Sequence, residues 1–318
     1  MPELFDRVKS RDTRAIARAL TLVENADAET LDALDKLYPS LSQPARIGVT
    51  GPPGSGKSTL VSALVAHLRE AGTPHVGVVA IDPTSPFSGG ALLGDRLRMA
   101  KHTLDPGVYV RSMATRGAFG GLAAGCEDVC DVLALAGFDP LIVETVGVGQ
   151  SEVDIARLAD TTIVVLTPAS GDSVQALKAG IMEIADIVVI NKADIDGAAR
   201  LGEDVREALE LRPMPPEGMP MFLPTVLHCV ATTGQGVDEL GDAVQKHRRY
   251  LLDNGLLHDV RARRLQSRLR ELTLATLSQS FEMGGSEHAA FETLRAQVGK
   301  GKLSPRAAAA QFARKLGI

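Results

Sequence analysis

The sequence predicts an α/β protein in which a mostly parallel central sheet is flanked by helices. From Arg46 onward, short β-branched runs alternate with helical stretches, as in sheets with crossover helices. Several runs are apolar on both faces, which is typical of strands buried in a parallel sheet. The first run leads directly into a glycine-rich loop and a helix. The predicted strands are residues 47–50, 76–81, 108–111, 141–144, 162–166, 187–190 and 226–230.

A helical extension is predicted before the first strand, over residues 1–44. Ile16, Leu20 and Val23 are spaced at i, i+4 and i+7, which places them on one face of a helix. Leu31, Leu34 and Leu37 form a second, shorter stripe. The main α/β domain is therefore expected to begin at about residue 45.

The strand pattern stops after residue 250, so residues 45–250 are predicted to form the main domain and 251–318 a helical arm. Leu265, Leu269 and Leu272 line one helix face, followed by Thr276. An apolar stripe of this kind has to be buried. The candidates for its cover are the α/β domain and a second copy of the chain, so a homodimer is one expectation.

The composition is that of a globular protein. Hydrophobic residues make up 45% and charged residues 23% of the 318 residues, and the net charge is −5. This charge does not favour a nucleic-acid or anionic-membrane partner. No apolar run approaches the length of a membrane span, and the first residues lack the pattern of a secretory signal. A cytoplasmic location is the expectation.

Residues 51–59, GPPGSGKST, fit the pattern G-x-x-x-x-G-K-[ST] between a strand and a predicted helix, 59–69. Main-chain amides of such a loop converge on phosphate oxygens, and the helix N-terminus adds positive charge. Lys57 is expected to reach the β- and γ-phosphates and Ser58 to ligate Mg²⁺. The flanking elements argue against a chance glycine-rich turn. The predicted nucleotide-binding residues here are Gly51, Pro52, Pro53, Gly54, Ser55, Gly56, Lys57, Ser58 and Thr59.

Guanine is the predicted base, because Asn191-Lys192-Ala193-Asp194 follows a strand and fits N-K-x-D. The Asp194 carboxylate can accept hydrogen bonds from N1–H and the exocyclic amine of guanine. Adenine offers the wrong donors and acceptors, so buried polar groups would stay unpaired. The cofactors predicted by these motifs are GTP or GDP with Mg²⁺.

A second loop is expected to contact the guanine base. Residues Val230, Ala231 and Thr232 resemble the segment that closes over the guanine oxygen in GTPases, with Val230 in place of the usual serine. The main chain makes that contact, so the exchange is tolerable. Taken alone, the segment is also compatible with an ordinary turn at the end of a strand.

Acidic residues at strand ends are candidates for the metal side of the site. Glu144 ends the fourth predicted strand and Asp82 follows the second, while Asp95 lies further along. Carboxylates there can hold Mg²⁺ through water. For Asp95, a solvent-exposed residue at a helix start is an equal alternative. Gly147 is expected to present its amide to the γ-phosphate, and Gly147 with Gly149 supplies the mobility of a γ-phosphate sensor.

Five segments together resemble the MeaB/ArgK family of P-loop GTPases: GPPGSGKST, DPTSPFSGGALLGDRLRM, ATRGAFGGLA, ETVGVGQSE and NKAD. The resemblance runs from about residue 10 to 280. It implies the P-loop NTPase fold of the SIMIBI type, the branch that includes signal-recognition and metallochaperone GTPases. It also implies a homodimer joined by a C-terminal helical dimerisation arm.

The resemblance implies a function as well. Family members guard adenosylcobalamin-dependent acyl-CoA mutases, methylmalonyl-CoA mutase above all, and gate cofactor loading and exchange. Carried over by motif, Lys57 and Ser58 hold phosphate and Mg²⁺, the three acids lie on the metal side, and N-K-x-D reads guanine. Switch segments are then expected at about 82–100, 144–157 and 171–183.

The sequence leaves the roles of several residues open. No general base is evident; Gln150 is a candidate to orient the attacking water, and Arg116 either adds charge near phosphate or pairs on the surface. Lys178 either acts across the mutase interface or is a solvated lysine. Slow GTP hydrolysis that the partner stimulates is therefore expected, with Lys57, Asp95, Glu144 and Gln150 as the catalytic candidates.

Three alternative functions have less support in the sequence. A nickel-delivering GTPase of the same branch would need a histidine-rich tract or a paired-cysteine site. An ATP-using kinase linked to amino-acid transport is disfavoured by N-K-x-D, and a non-hydrolysing scaffold by the intact phosphate and metal residues. Cys126 and Cys130, four residues apart, could pair as metal ligands but are better explained by core packing, like Cys229.

Overall fold

The computed structural model describes residues 1–82, 100–102, 104–114, 125–145, 151–168, 181–212, 220–282, 286–300 and 302–315. These residues form two compact units, Met1–Val260 and Arg261–Ile318.

Seven parallel strands form the central sheet of the first unit. All seven predicted strands are present within the described residues, and the largest difference is at the third, which extends to Ala114 rather than Arg111. The predicted α/β class with a mostly parallel sheet is confirmed. The strands are β1 (Arg46–Thr50), β2 (Val76–Asp82), β3 (Val108–Ala114), β4 (Leu141–Glu144), β5 (Thr161–Leu166), β6 (Ile187–Asn191) and β7 (Thr225–Cys229).

The order across the sheet is β3-β2-β4-β1-β5-β6-β7, so β1 lies in the middle. The chain passes from β1 to one side of the sheet, returns to β4 beside β1, and then continues on the other side from β5. Open parallel sheets bind ligands at the carboxyl ends of their strands, where the order reverses in this way. The loop after β1 lies at this point of the fold.

The helices of the first unit are bounded by local signals and apolar periodicity. Asp12 accepts hydrogen bonds from the amides of Arg14 and Ala15 and so caps the second helix, and Asp27 caps the third. The described helices of this unit are α1 (Pro2–Lys9), α2 (Thr13–Glu24), α3 (Ala28–Leu37), α4 (Lys57–Glu70), α5 (Cys126–Leu135), α6 (Ser151–Leu158), α7 (Ile181–Ile184), α8 (Ala198–Glu210) and α9 (Val237–Asp253).

Both faces of the sheet are covered. Neighbouring residues of one strand point to opposite faces, so Val78 of β2 packs in a cluster with α4 and α9, while Val79 packs with α1, α2 and α5 on the other face. Beside that second cluster, α7 and α8 cover β5 and β6. This packing explains why the strands lack polar alternation.

The N-terminal helices belong to the core of the first unit. Ile16, Leu20 and Val23, the stripe noted in the sequence, are at most 1% exposed. They share one cluster with Cys126 and Cys130, which are buried free thiols. The first helices therefore cover part of the sheet face.

The second unit begins inside helix α10 (Leu256–Glu282) and continues through α11 (Ser286–Gly299) and α12 (Pro305–Lys315). Leu294, Ala308 and Phe312 form a small core between the last two helices. The stripe on α10 is exposed in the single chain: Leu265, Leu269 and Leu272 are 39%, 67% and 54% accessible.

None of the described helices has both the length and the apolar character that crossing a membrane requires.

A half-buried carboxylate and a buried imidazole lie together at the amino end of the sheet. Asp186, just before β6, accepts a hydrogen bond from the Thr162 amide at 2.8 Å, and its Oδ1 lies 3.4 Å from Nε2 of His247. Burial raises the pKa of Asp186 to about 7 despite the opposing charge of Arg212. Burial also lowers the pKa of His247 to about 4. Both groups thus favour their neutral forms.

These shifts predict a specific pH dependence. The raised pKa of Asp186 makes the folded state lose stability as pH rises from about 4 to about 7, whereas the lowered pKa of His247 makes it gain stability from about 4 to about 6.5. In the wild type the two effects oppose each other. In D186N the free energy of unfolding should rise with pH up to about 6.5. At pH 8 we expect D186N to be about 1 kcal/mol more stable than the wild type, because the 31% exposed side chain is partly screened.

Urea unfolding followed by circular dichroism at pH 5 and pH 8 measures both effects. D259N, at an exposed carboxylate, is the control and should follow the wild type. A D186N protein that is no more stable than the wild type at pH 8 would contradict the expected burial effect.

Candidate functional site

The glycine-rich loop connects β1 to α4 at the carboxyl edge of the sheet. Gly56, the residue before the first helical turn, has φ +89°, a left-handed conformation that glycine tolerates best. A Cβ at this position would lie 2.3 Å from Nδ2 of Asn191. The loop therefore needs glycine both for its turn and for the close approach of Asn191.

Lys57 folds back over the loop. Its side chain is nearly buried, and Nζ donates hydrogen bonds to the carbonyl oxygens of Gly51 at 2.9 Å and Pro52 at 3.1 Å. The ammonium group is thus held inside the loop, next to the N-terminus of α4. Both features place positive charge where an anion would bind.

Ser58 and Glu144 meet across two elements. Ser58 Oγ donates a hydrogen bond of 2.6 Å to Oε1 of Glu144, the last residue of β4. The register of β1 with β4 pairs Val49 with Glu144, which brings the carboxylate beside the loop. Asp82 ends β2 on the far side of β4 and is 4% exposed. A hydroxyl and two carboxylates are the oxygen donors that Mg²⁺ prefers.

The loop fits a phosphate group with its metal. At Gly54, whose φ is +74°, no atom lies within 4 Å of the position a Cβ would occupy, so this part of the loop faces open space. Ser55 Oγ is buried and has no hydrogen-bond partner among the described residues. An open glycine loop, a buried hydroxyl and the Lys57 ammonium together suit phosphate oxygens. The described residues contain no group of three His, Cys, Asp or Glu side chains that could hold a metal alone.

Asn191 connects the phosphate loop to the loop of residues 230–232, which is predicted to contact the guanine base. Its side chain is 3% exposed. Nδ2 donates to the carbonyl oxygen of Ser55 at 2.8 Å, and Oδ1 accepts from the amide of Ala231 at 3.2 Å. One amide side chain thus joins two loops that lie far apart in the sequence.

The other residues predicted to bind guanine range from buried to solvent-exposed. Lys192 adopts φ +57° and donates from Nζ to the Gly54 carbonyl at 2.9 Å, so its stem covers the loop. Asp194 and Thr232 are exposed. The Val230 amide donates to the Gln235 carbonyl at 2.9 Å, which closes the second loop. The carboxylate of Asp194 is therefore accessible to a ligand.

Two threonines in the site were not identified from the sequence. Thr145 Oγ1 donates to Oγ1 of Thr50 at 2.9 Å, and both side chains are buried. Each is a polar residue at the carboxyl end of an apolar strand, and this position was the signal available in the sequence.

Six of the predicted or candidate functional residues lie outside the described part of the chain. They are Asp95, Arg116, Gly147, Gly149, Gln150 and Lys178. Their roles stay predictions from the sequence.

A sequence profile of the family "Methylmalonyl Co-A mutase-associated GTPase MeaB" matches residues 16–286. The chain belongs to this family. The resemblance noted from the five motifs is thereby confirmed. Membership of a P-loop GTPase family also implies that this MeaB-family chain binds a guanine nucleotide.

Individual relatives agree with this assignment. The chain is 44% identical over 307 residues to a Pyrococcus horikoshii protein with a provisional GTPase assignment, covering 96% of this chain and 95% of that one. It is 34% identical over 283 residues to the Escherichia coli GTPase ArgK, covering 86% and 83%. It is also 34% identical over 267 residues to the mitochondrial methylmalonic aciduria type A homolog of Mus musculus, covering 83% and 63%.

A solved structure supports the fold. A crystal structure of a protein titled LAO/AO transport system kinase matches all of this chain and 97% of that one, with a TM-score of 0.73 and 28% identity. The predicted P-loop NTPase fold of this MeaB-family chain is therefore confirmed.

Replacing Asn191 tests the connection between the loops. In N191A the Ser55 carbonyl and the Ala231 amide lose a hydrogen-bond partner, which should lower the free energy of unfolding by about 1–3 kcal/mol. Misplacement of both loops should also raise the Kd for GDP at least about tenfold, or 1.4 kcal/mol. Denaturant unfolding and titration with a fluorescent GDP analogue measure these quantities.

The matched control is N254A, which removes an exposed side-chain hydrogen bond to the Tyr250 carbonyl. It should leave the Kd for GDP unchanged. If N191A also binds GDP with wild-type affinity, the Asn191 hydrogen bonds do not contribute to nucleotide binding.

Proposed function

We propose that this chain is a Mg²⁺-dependent GTPase that serves as a chaperone of an adenosylcobalamin-dependent acyl-CoA mutase, methylmalonyl-CoA mutase or a relative. It would gate adenosylcobalamin loading and protect or reactivate the mutase. The observation that carries the GTPase part is the joined geometry of Ser58 with Glu144 and of Asn191 with both nucleotide loops. The family description and the name of the mouse relative support the mutase part.

Catalysis of phosphoryl transfer to water depends on positioning and charge neutralisation. Lys57 supplies a preorganised positive charge, because its ammonium is already held over the loop by two carbonyl oxygens. Ser58 would ligate Mg²⁺, with Asp82, Glu144 and the predicted Asp95 on the metal side. When bound, this ion supplies further neutralisation of phosphate charge. Asn191, Lys192 and Asp194 would select and orient the guanine.

Slow intrinsic turnover is expected for this assignment. Asp82 and Glu144 are assigned to Mg²⁺ in this proposal, so Gln150 is the candidate, from the sequence alone, for orienting the attacking water. A group or a loop position supplied by the mutase would then raise the rate. The cytoplasmic location is likewise a prediction from the sequence.

The second candidate function is that of a kinase linked to amino-acid transport, and it is suggested by the names of two similar proteins. One is named GTPase ArgK and the other is titled a transport system kinase. A kinase that uses ATP would have to bind adenine in a site that carries Asp194. The choice of nucleotide therefore separates this candidate from the mutase chaperone. The described residues contain no group of three His, Cys, Asp or Glu side chains that could bind nickel, so they give no support to a nickel-delivery role.

The central test is turnover of GTP and of ATP with Mg²⁺, with and without a purified adenosylcobalamin-dependent mutase. GTP hydrolysis that the mutase accelerates, without ATP hydrolysis, is the expected result. GTP hydrolysis at equal rates with and without every mutase tried would refute the chaperone role. ATP hydrolysis would refute the base assignment.

D194N is a sharper test of that base assignment. An asparagine loses the negative acceptor for two guanine donors but can donate an N–H to the C2 oxygen of xanthine. We expect GTP to bind about 10- to 100-fold more weakly, since a hydrogen bond to a charged group contributes about 1.5–3 kcal/mol, and XTP to bind more tightly than in the wild type. The control is D196N, at an exposed carboxylate two residues away. Unchanged GTP affinity in D194N would contradict the assignment.

We also propose that the chain is a homodimer joined through residues 261–318. An exposed row of leucines on α10 needs a partner surface.

L269D should break this dimer, because it places a carboxylate in the centre of the leucine row. L211D is the matched control, since Leu211 is 86% exposed and lies in the first unit. Size-exclusion chromatography with light scattering should give a dimer for the wild type and L211D and a monomer for L269D. A monomeric wild type, or a dimeric L269D, would exclude this interface.

A further inference from the structure

Two consecutive residues hold the phosphate loop at both of its ends. Glu144 accepts a hydrogen bond from Ser58 at 2.6 Å, and Thr145 donates one to Thr50 at 2.9 Å. Thr50 directly precedes the first loop residue, Gly51, and Ser58 directly follows Lys57. The end of β4 therefore contacts the positions on either side of the loop.

The threonine contact is dry and well defined. Thr50 is fully buried and Thr145 is 2% exposed, so water does not compete for their hydroxyl groups. The amide of Thr145 also donates to the carbonyl of Val49 at 3.0 Å, which continues the pairing of β4 with β1. Valine has nearly the same shape as threonine, so packing alone does not require hydroxyl groups here.

We propose that the Thr50–Thr145 hydrogen bond is a positioning contact for GTP hydrolysis, and that Thr50 and Thr145 are positioning residues. The bond fixes the end of β4 against the entrance of the phosphate loop. Glu144, the neighbouring residue, then orients the Ser58 hydroxyl, which would ligate Mg²⁺. This inference rests on the proposed GTPase function and adds two residues to its site.

Loss of this hydrogen bond is expected to displace the end of β4 slightly, without removing contacts to the nucleotide. Without the bond, the end of β4 can shift relative to Ser58, and small shifts of a catalytic group strongly reduce rates. The groups that hold the rest of the nucleotide are attached elsewhere: Lys57 to the loop carbonyls and Asn191 to Ser55 and Ala231. Nucleotide affinity without metal should therefore be retained.

Three variants separate positioning from stability. T145V removes the donor hydroxyl, so the buried Thr50 hydroxyl loses this hydrogen bond. T145S keeps a hydroxyl at the same position. The double variant T50V/T145V removes both hydroxyls. Replacing both partners by apolar groups of the same shape restores stability more than replacing one. A matched control is T161V, which removes a buried hydroxyl bonded to His247 at 2.9 Å at the other end of the sheet.

Single-turnover GTP hydrolysis is the first measurement. We expect T145V and the double variant to lose about 10- to 100-fold in rate, T145S to recover most of it, and T161V to match the wild type. Thermal unfolding should show a midpoint about 2–4 °C lower for T145V and a smaller decrease for the double variant. A double variant with restored stability but a low rate identifies positioning.

The Mg²⁺ dependence of nucleotide binding is the second measurement, and it does not need turnover. With a fluorescent GTP analogue, T145V should need several times more Mg²⁺ for the half-maximal increase in affinity, while its affinity in EDTA equals that of the wild type.

The outcomes are distinguishable. A T145V protein with wild-type rate and Mg²⁺ dependence overturns the inference, as does a double variant that regains the rate together with stability. A wild type that binds GTP with Mg²⁺ but does not hydrolyse it overturns the proposed enzyme activity, and with it hydrolysis as the role of this contact. The Mg²⁺ titration then decides whether the contact positions the metal ligand.

Discussion

The parallel register of β1 between β4 and β5 is the constraint on which the site depends. This register places the carboxyl ends of three strands at one edge, and the phosphate loop begins there. It pairs Val49 with Glu144, and so brings an acidic side chain of β4 within hydrogen-bond distance of Ser58 on α4. A slip by one residue would turn Glu144 to the other face of the sheet. The apolar clusters on both faces hold the register against such a slip.

Polar groups in the described part of the site are held by main-chain atoms as well as by one another. Lys57 is bonded to two loop carbonyls, Lys192 to a third, and Asn191 to one carbonyl and one amide. Main-chain partners are fixed by the secondary structure, so these side chains are preorganised before a ligand arrives. In a buried setting this arrangement also avoids the cost of unpaired polar atoms.

The fold and most of the nucleotide site could be predicted because their signals are local. Apolar runs such as Ile187–Ile190 mark buried strands, and G-x-x-x-x-G-K-S encodes a turn, an anion site and a helix start within a few residues. Contacts between distant residues were not predictable in this way. The bond from Asn191 to Ser55 joins residues 136 positions apart, and that from Thr145 to Thr50 joins residues 95 apart. No spacing rule encodes such contacts.

The sequence by itself determined the class of the fold and the phosphate loop and predicted the guanine base, because each depends on residue types at short spacing. The tertiary structure decided how these parts are joined. It placed Asn191 between two loops, Thr145 against Thr50, and Asp186 beside His247. It also decided which apolar stripe is covered, since Leu20 lies in the core whereas Leu269 is exposed in the single chain. Both stripes have helical periodicity, and only the packing of other elements distinguishes a covered face from an exposed one.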